Sequence, residues 1–326
     1  MLGLVTTKST DVESVDDLLL RIEEASKYIP VEQLTESFAS TRRARMGLGA
    51  GSLNDVLSRS SVLVLDMEGL MNAQRKKQFV SELNEMGRRF WAGEAEICRQ
   101  FWGQPRSNEE QSRWLRLQVF KEMYGSGLTG NPDGLIRAFL DELRDQVGVA
   151  ETRDERHRVE RSLRVLREEY NHFKLFADIL ENVTGEPVRQ AALKDWQLDH
   201  DQKLQKVRQN IRESEGKLGE LAIMFTEGGG SAFFYEARKL TGDSVSEQIA
   251  RASETVYTDE LEHGEHGAMD LENEIDSDED WGKVRHLIVE ICQQRLRMRY
   301  DMFGLPIDEL RIQEISDGKI EPLLVS

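Results

Sequence analysis

Residues 79–97 read FVSELNEMGRRFWAGEAEI, and the apolar positions of this stretch recur at intervals of three and four. Such a period places Phe79, Leu83, Met86 and Phe90 on one face of an α-helix. From about residue 66 to residue 302, similar blocks follow one another, separated by clusters rich in glycine, proline, serine and aspartate. The sequence has only 6 prolines in 326 residues, which agrees with long helices. We therefore predict an all-α fold whose body is a helical bundle.

The helical pattern is interrupted at recognisable places. The predicted helices cover residues 70–101, 111–123, 135–146, 153–181, 187–212, 214–240, 244–273 and 281–302. The segment Asp243-Ser244-Val245-Ser246-Glu247 predicts a helix N-cap with a glutamate three residues further on, a pattern that satisfies free backbone N–H groups at the start of a helix. Strand signals are confined to residues 3–6, 62–65 and 310–325. The pattern indicates a helical body with short extended segments at its two ends.

The composition limits the classes of partner. The chain is 39% hydrophobic and 32% charged, with 43 basic against 60 acidic residues and a net charge of −17. This charge opposes binding to nucleic acid or to anionic membranes, and no apolar run is long enough to span a bilayer. Two cysteines, Cys98 and Cys292, do not provide a disulfide framework and suit a reducing compartment. With no signal-peptide pattern at the amino terminus, we expect a soluble cytoplasmic protein.

A different pattern precedes the bundle, so we divide the chain into an N-terminal α/β arm, residues 1–60, and a helical domain, residues 61–326. About 45 residues of the arm resemble the carboxyl-terminal end of cobalamin-independent methionine synthase. The shared residues are Leu2-Gly3-Leu4-Val5-Thr6-Thr7-Lys8, Glu13-Ser14, Arg21-Ile22, Glu24-Ala25-Ser26-Lys27-Tyr28-Ile29-Pro30, Glu32-Gln33-Leu34 and Phe38-Ala39-Ser40-Thr41. In that family a cysteine just before the Phe-Ala-Ser-Thr segment binds the catalytic zinc. Thr35-Glu36-Ser37 stands here instead, so we exclude zinc-dependent methyl transfer and interpret the segment as a packing arm.

Two segments of the helical domain carry the residue types of a metal site. They read Glu168-Glu169-Tyr170-Asn171-His172 and Asp259-Glu260-Leu261-Glu262-His263. In each, a glutamate and a histidine are three residues apart, so they share one face of a helix and can turn inward together. The acid before each glutamate suits a hydrogen-bond partner for a ligand histidine.

Single glutamates on two further helices would complete such a site. Glu227 lies 33 residues before Glu260, in an apolar stretch followed by three glycines that leave room for a ligand or substrate. A lone carboxylate in such a stretch requires a partner, because burying an unpaired charge is costly. For the remaining helix we favour Glu94, which is flanked by small and apolar residues. The alternatives, left open, are Glu96, Asp141 and Glu142.

The combined pattern resembles the ferritin-like superfamily of non-haem di-iron carboxylate proteins, over roughly residues 66–300. A four-helix bundle of that kind supplies one glutamate from each of two helices and a Glu-x-x-His pair from each of the other two. The resemblance implies a ferritin-like four-helix bundle with additional helices, two iron ions and dioxygen as a co-substrate. Manganese with iron stays open as the metal pair. The implied catalytic and metal-binding residues are Glu94, Glu169, His172, Glu227, Glu260 and His263.

Three functions remain at this point. The first, which we favour, is a di-iron oxygenase or oxidase that acts on a small organic substrate by hydroxylation, N-oxygenation, desaturation or C–C cleavage. The second is a ferroxidase or iron-handling protein, and the third is a non-catalytic helical interaction protein whose acids lie on the surface. An electron-donor reductase as partner and a homodimeric state are left open, and no nucleic-acid or membrane partner is expected.

Overall fold

A computed structural model describes residues 53–125 and 143–323, with side chains from residue 74 onward except at 125, 231 and 261–270. All regular structure in these residues is helical, and they contain no strand. The α-helices are α1 (Leu53–Trp102), α2 (Asn108–Phe120), α3 (Arg153–Thr184), α4 (Gln190–Leu193), α5 (Asp199–Glu215), α6 (Lys217–Glu227), α7 (Gly229–Ala237), α8 (Ser244–Glu274), α9 (Asp278–Met302) and α10 (Glu309–Ser316). A π-helical segment, Lys121–Gly125, follows α2, and a 3-10 turn, Lys194–Trp196, follows α4. The all-α prediction is confirmed for this part of the chain.

The strands predicted at the two ends of the helical body are not confirmed. Residues 62–65 lie inside α1. Residues 310–316 of the second expected strand lie in helix α10, and the described remainder to residue 323 contains no strand, so both strand predictions are wrong. A short apolar run does not distinguish a strand from a buried helical segment by its pattern alone. In α10 the two buried residues, Ile312 and Ile315, are three apart, as on a helix face. The third predicted strand, at residues 3–6, and the arm as far as residue 52 lie outside the described residues.

Several helix ends follow from local sequence. The side chain of Asp243 accepts hydrogen bonds from the backbone N–H groups of Val245 and Ser246, so the N-cap of α8 lies in the predicted segment, at Asp243 rather than at Ser244, the residue three before Glu247. Thr152 and Glu155 form a reciprocal capping box at the start of α3. The same helix ends at Gly185, whose φ of 72° lies in the left-handed region that favours glycine. These caps fix where α3 and α8 begin, and therefore which of their residues meet in the core.

The chain divides after Phe79, and the packing described here is that of residues 80–326. Helix α3 packs against both α2 and α8, α8 packs against α6 and α7, and α9 packs against α5 and α6. At the centre, the ring of Trp114 lies against Phe176 of α3 and Phe233 of α7. Both cysteines are free and buried in this core. Helices α2, α3, α7 and α8 therefore share an aromatic interior.

The described helices range from 4 to 50 residues in length. The longest, α1, mixes apolar positions with many charged ones. None of the described helices combines the length and the apolar character that a bilayer crossing requires.

Candidate metal centre

The carboxyl-terminal end of α2 supplies the first acidic side chain of the site. Helix α2 runs into the π-helical segment, which contains Glu122. Such short π segments are rare and occur often at functional sites, because the extra residue in the turn redirects the side chains around it. The buried amide of Gln118, one turn earlier, donates a hydrogen bond from Nε2 to Oε1 of Glu122. Glu122 is only 11% exposed.

Helix α3 brings Glu169 and His172 to the same place. One ligand atom from each of Glu122, Glu169 and His172 lies within 4.8 Å of the other two. His172 is fully buried and Glu169 is half-buried. The two residues are three apart on one helix, so the predicted shared face is present. Among the described residues, these three form a group of nitrogen and oxygen donors of the kind that holds a transition metal.

Helix α8 fixes the orientation of the histidine ring. Oδ2 of Asp259 lies 3.0 Å from Nε2 of His172, within hydrogen-bond distance. The other ring nitrogen, Nδ1, lies 3.9 Å from Oε2 of Glu122 and is buried without a hydrogen-bond partner. A carboxylate that accepts from Nε2–H leaves Nδ1 as the nitrogen directed at the acids. Asp259 is the acid before Glu260, and it pairs with the histidine of the other motif.

Several carboxylates lie close together around His172, and this crowding shifts the pKa values of the group. Burial raises the pKa of Glu122, and the negative charge of Glu260 adds to the effect, although His172 acts against it. Burial also opposes protonation of His172, but the surrounding acids outweigh it and raise the pKa of the ring. Those acids are Glu122, Asp259, Glu169 and Glu260. The site therefore holds more negative charge than its single histidine can neutralise.

Glu260 lies at the edge of this group and His263 cannot be placed. The carboxylate of Glu260 interacts electrostatically with both Glu122 and His172. A Cβ atom at Gly230 of α7 would lie 3.7 Å from Oε2 of Glu260, so one of the three glycines that follow Glu227 faces this acid. The side chain of His263, the predicted partner of Glu260, lies outside the described residues.

The structure does not bring Glu94 to this group. Its buried carboxylate accepts from Nε of Arg295 at 2.8 Å and from Nε of Arg299 at 2.6 Å, both on α9. Burial alone would raise the pKa of Glu94, but the two guanidinium groups outweigh it and hold the pKa below its ordinary value. A Cβ at Gly229 would come within 2.6 Å of Arg295 and 2.9 Å of Glu94, so glycine is required there. Glu94 is thus neutralised by the protein itself.

The other single acids also lie elsewhere. Glu227 is at the end of α6, 42% exposed, with Oε1 2.9 Å from Nη2 of Arg208. Glu96 forms a two-point pair with Arg311 of α10. Asp141 and Glu142 lie outside the described residues. Of the predicted ligands, the structure brings Glu169 and His172 together, places Glu260 within electrostatic range of His172, and directs Glu94 and Glu227 to arginines.

The acid that sequence reasoning missed is Glu122. It was overlooked because the small and apolar residues around Glu94 favoured α1 as the source of the remaining ligand, with Glu96, Asp141 and Glu142 as the alternatives. One signal was available: Gln118 and Glu122 are four residues apart at the end of the apolar run from Trp114 to Phe120. Two polar residues on the inner face of such a helix indicate a polar site rather than a packed core.

Comparison of the chain with protein-family models, with curated proteins and with solved structures found no match. The resemblances to the di-iron superfamily and to methionine synthase therefore stay predictions. The site itself is a group of partly buried carboxylates around one buried, oriented histidine in a helical bundle.

Proposed function

We propose that this protein binds two iron ions within its helical bundle and uses them with dioxygen to oxidise a small organic substrate. The observation that supports this most is the group formed by the buried His172 and the partly buried Glu122 and Glu169. Its donor set, one imidazole nitrogen and carboxylate oxygens from different helices, is typical of non-haem iron sites in bundles.

Two features test whether the residues fit a metal. Nδ1 of His172 is buried with no hydrogen-bond partner, which is costly unless a bound group completes it. The carboxylates around it carry excess negative charge, and a divalent cation would relieve that charge. Glu122, Glu169 and His172 would hold one metal, and Glu260 with the predicted ligand His263 would hold the second. The residues present therefore fit the proposal.

When bound, reduced iron ions supply electrons and open coordination positions to dioxygen. The chain's own residues have distinct tasks. Asp259 keeps the proton on Nε2 of His172, so that Nδ1 stays available as a ligand. Gln118 orients the carboxylate of Glu122. The burial of His172 and Gln118 excludes bulk water from this side of the site.

The test is the metal content of the purified protein after anaerobic loading with iron(II). We expect about two irons per chain in the wild type, and a clear loss in Glu169→Gln and in His172→Gln. Glu96→Gln is the matched control, since that glutamate lies on α1 and is paired with Arg311 away from the group. Absence of stoichiometric iron from the wild type would overturn the proposal.

Oxygen consumption then decides the kind of reaction. Uptake that depends on an added organic compound supports an oxygenase or oxidase. Uptake that stops once the bound iron is oxidised, and resumes only on addition of iron(II), would instead indicate a ferroxidase. The same glutamine variants show whether either uptake depends on this group.

A further inference from the structure

Gln118 of α2 lies one turn before Glu122, and the register of α2 against α8 indicates that the buried Ser253 of α8 is at a similar level. Gln111 of α2 donates from Nε2 to Oγ of Ser246 on α8 at 3.2 Å, which aligns the two helices at that level. Seven residues further along each helix, about two turns, are Gln118 and Ser253. At the far end, His172 contacts Glu122 on one side and Asp259 on the other. The two helices therefore run in the same direction and in register over this length.

Both side chains are buried, and each has a polar atom without a hydrogen-bond partner. Gln118 is 2% exposed and Ser253 is fully buried. Oε1 of Gln118 and Oγ of Ser253 are both buried without a hydrogen-bond partner. An ionised carboxylate only accepts hydrogen bonds, so Glu122 accepts from the amide nitrogen of Gln118. The amide oxygen of Gln118 therefore has no hydrogen-bond partner. A buried polar atom left in this state costs free energy unless something bound there completes it.

We propose that Gln118 and Ser253 form a recognition pair for the hydroxyl or amine group of a small organic substrate. The inference rests on the proposed function, because it names the class of compound that would be held beside the metals. Oε1 of Gln118 can only accept a hydrogen bond, and Oγ of Ser253 can accept or donate one. The pair thus favours a ligand with an O–H or N–H group over one that has only acceptors.

The surroundings of the pair favour an organic molecule over a lone water. Trp114, one turn before Gln118, is packed between the rings of Phe176 and Phe233. A buried water usually makes about three hydrogen bonds, and this pair offers two atoms. An alcohol or amine would use both atoms and also place its carbon chain against the aromatic rings, which gains hydrophobic contact.

The experiment compares ligands that differ in one donor group. The probes are 1-butanol with its isomer diethyl ether, and phenol with toluene. Their affinities are measured by ligand-observed NMR, which works with metal-free and metal-loaded protein alike. We expect the wild type to bind the hydroxyl member of at least one pair about tenfold more tightly, the effect of one to two net hydrogen bonds. Ser253→Ala should reduce this preference to about twofold and remain folded, because it removes a hydroxyl that has no protein partner.

Ser246→Ala is the matched control. It removes another buried serine hydroxyl of α8, but one that is already bonded to Gln111 and Asp243, so the preference for the hydroxyl probe should stay tenfold. The proposal is overturned if the wild type discriminates neither pair, or if Ser253→Ala keeps the discrimination. Discrimination without stoichiometric iron would leave the recognition pair standing and remove the proposed function. Iron binding without discrimination would do the reverse.

Discussion

Glu94 and Glu122 are both glutamates with little exposure in the same unit of the chain, and they differ in what surrounds them. Glu94 is enclosed by two arginines of α9 that neutralise it. Glu122 has one histidine, and further acids lie around that histidine. A buried carboxylate that carries its own cations is complete, whereas one among other carboxylates requires a cation from outside. We therefore assign Glu94 a structural role and Glu122 a ligand role.

The largest effect is expected from Glu94→Gln. The substitution leaves Arg295 and Arg299 buried with one charge fewer between them, and breaking such a buried pair costs about 3–5 kcal/mol of unfolding free energy. Urea denaturation measures the loss. Glu96→Gln, which breaks a partly exposed pair with Arg311, should cost less than about 1 kcal/mol. If Glu94→Gln instead kept full stability and lost iron, the assignment of roles would be reversed.

The second prediction concerns Glu122→Gln. It removes a proposed ligand, so the affinity for iron(II) or cobalt(II) should fall by roughly 100-fold or more, in line with the loss of a direct metal contact. The metal-free variant should be at least as stable as the wild type, because burial already disfavours the charged form of this side chain. Metal titration and denaturation of the same samples provide both numbers. A variant that lost stability and kept its metal affinity would contradict the comparison.

The contrast also shows which parts of the site a sequence can reveal. Glu169 and His172 were identifiable because both lie on one helix, where a separation of three residues fixes a shared face. The partners of Glu94 were not, since Arg295 lies 201 residues further along the chain. Nothing in the local sequence around residue 94 signals that two guanidinium groups will enclose it. Glu122 was missed for the same reason, because the position of α2 relative to α3 is a property of tertiary packing.

The fold was easier to predict from the sequence than the site was. Periodicity of apolar residues predicted where helices lie, although the structure divides the block 187–212 into α4, a 3-10 turn and α5, and the block 214–240 into α6 and α7. The start of α8 lies in the segment predicted to cap it, since capping depends on interactions within a few residues. The pattern failed at residues 62–65, where a short apolar run permits either structure. Helix register and capping are local, whereas the choice among several buried acids depends on distant cations.

A third, smaller effect is expected from Asp259→Asn. The amide can still contact His172, but it no longer holds the Nε2 proton as a carboxylate does, so Nδ1 becomes a poorer ligand. Changing such an outer partner typically lowers metal affinity about 10- to 100-fold. Cobalt(II) titration followed by visible absorption would measure this. Asp276→Asn, a change near the end of the same helix, is the control and should leave the affinity unchanged; equal losses in both variants would argue against a specific role for Asp259.

The smallest effect is the pH dependence of the metal-free protein. The surrounding acids raise the pKa of His172 above its ordinary value of 6.5, so its contribution to stability is complete below pH 6.5 and is lost as the pH rises through the higher folded value. The raised pKa of Glu122, ordinarily 4.5, acts in the same direction from lower pH, because the folded state again holds its proton longer. We therefore expect these two groups to lower the unfolding free energy as the pH rises, above the acid range in which the lowered pKa of Glu94 acts in the opposite direction. His172→Gln should flatten the part above pH 6.5. His157→Gln, at an exposed histidine, should leave the slope as it is. A saturating divalent metal should reverse the trend, because metal binding requires the deprotonated side chains that the folded apoprotein resists forming.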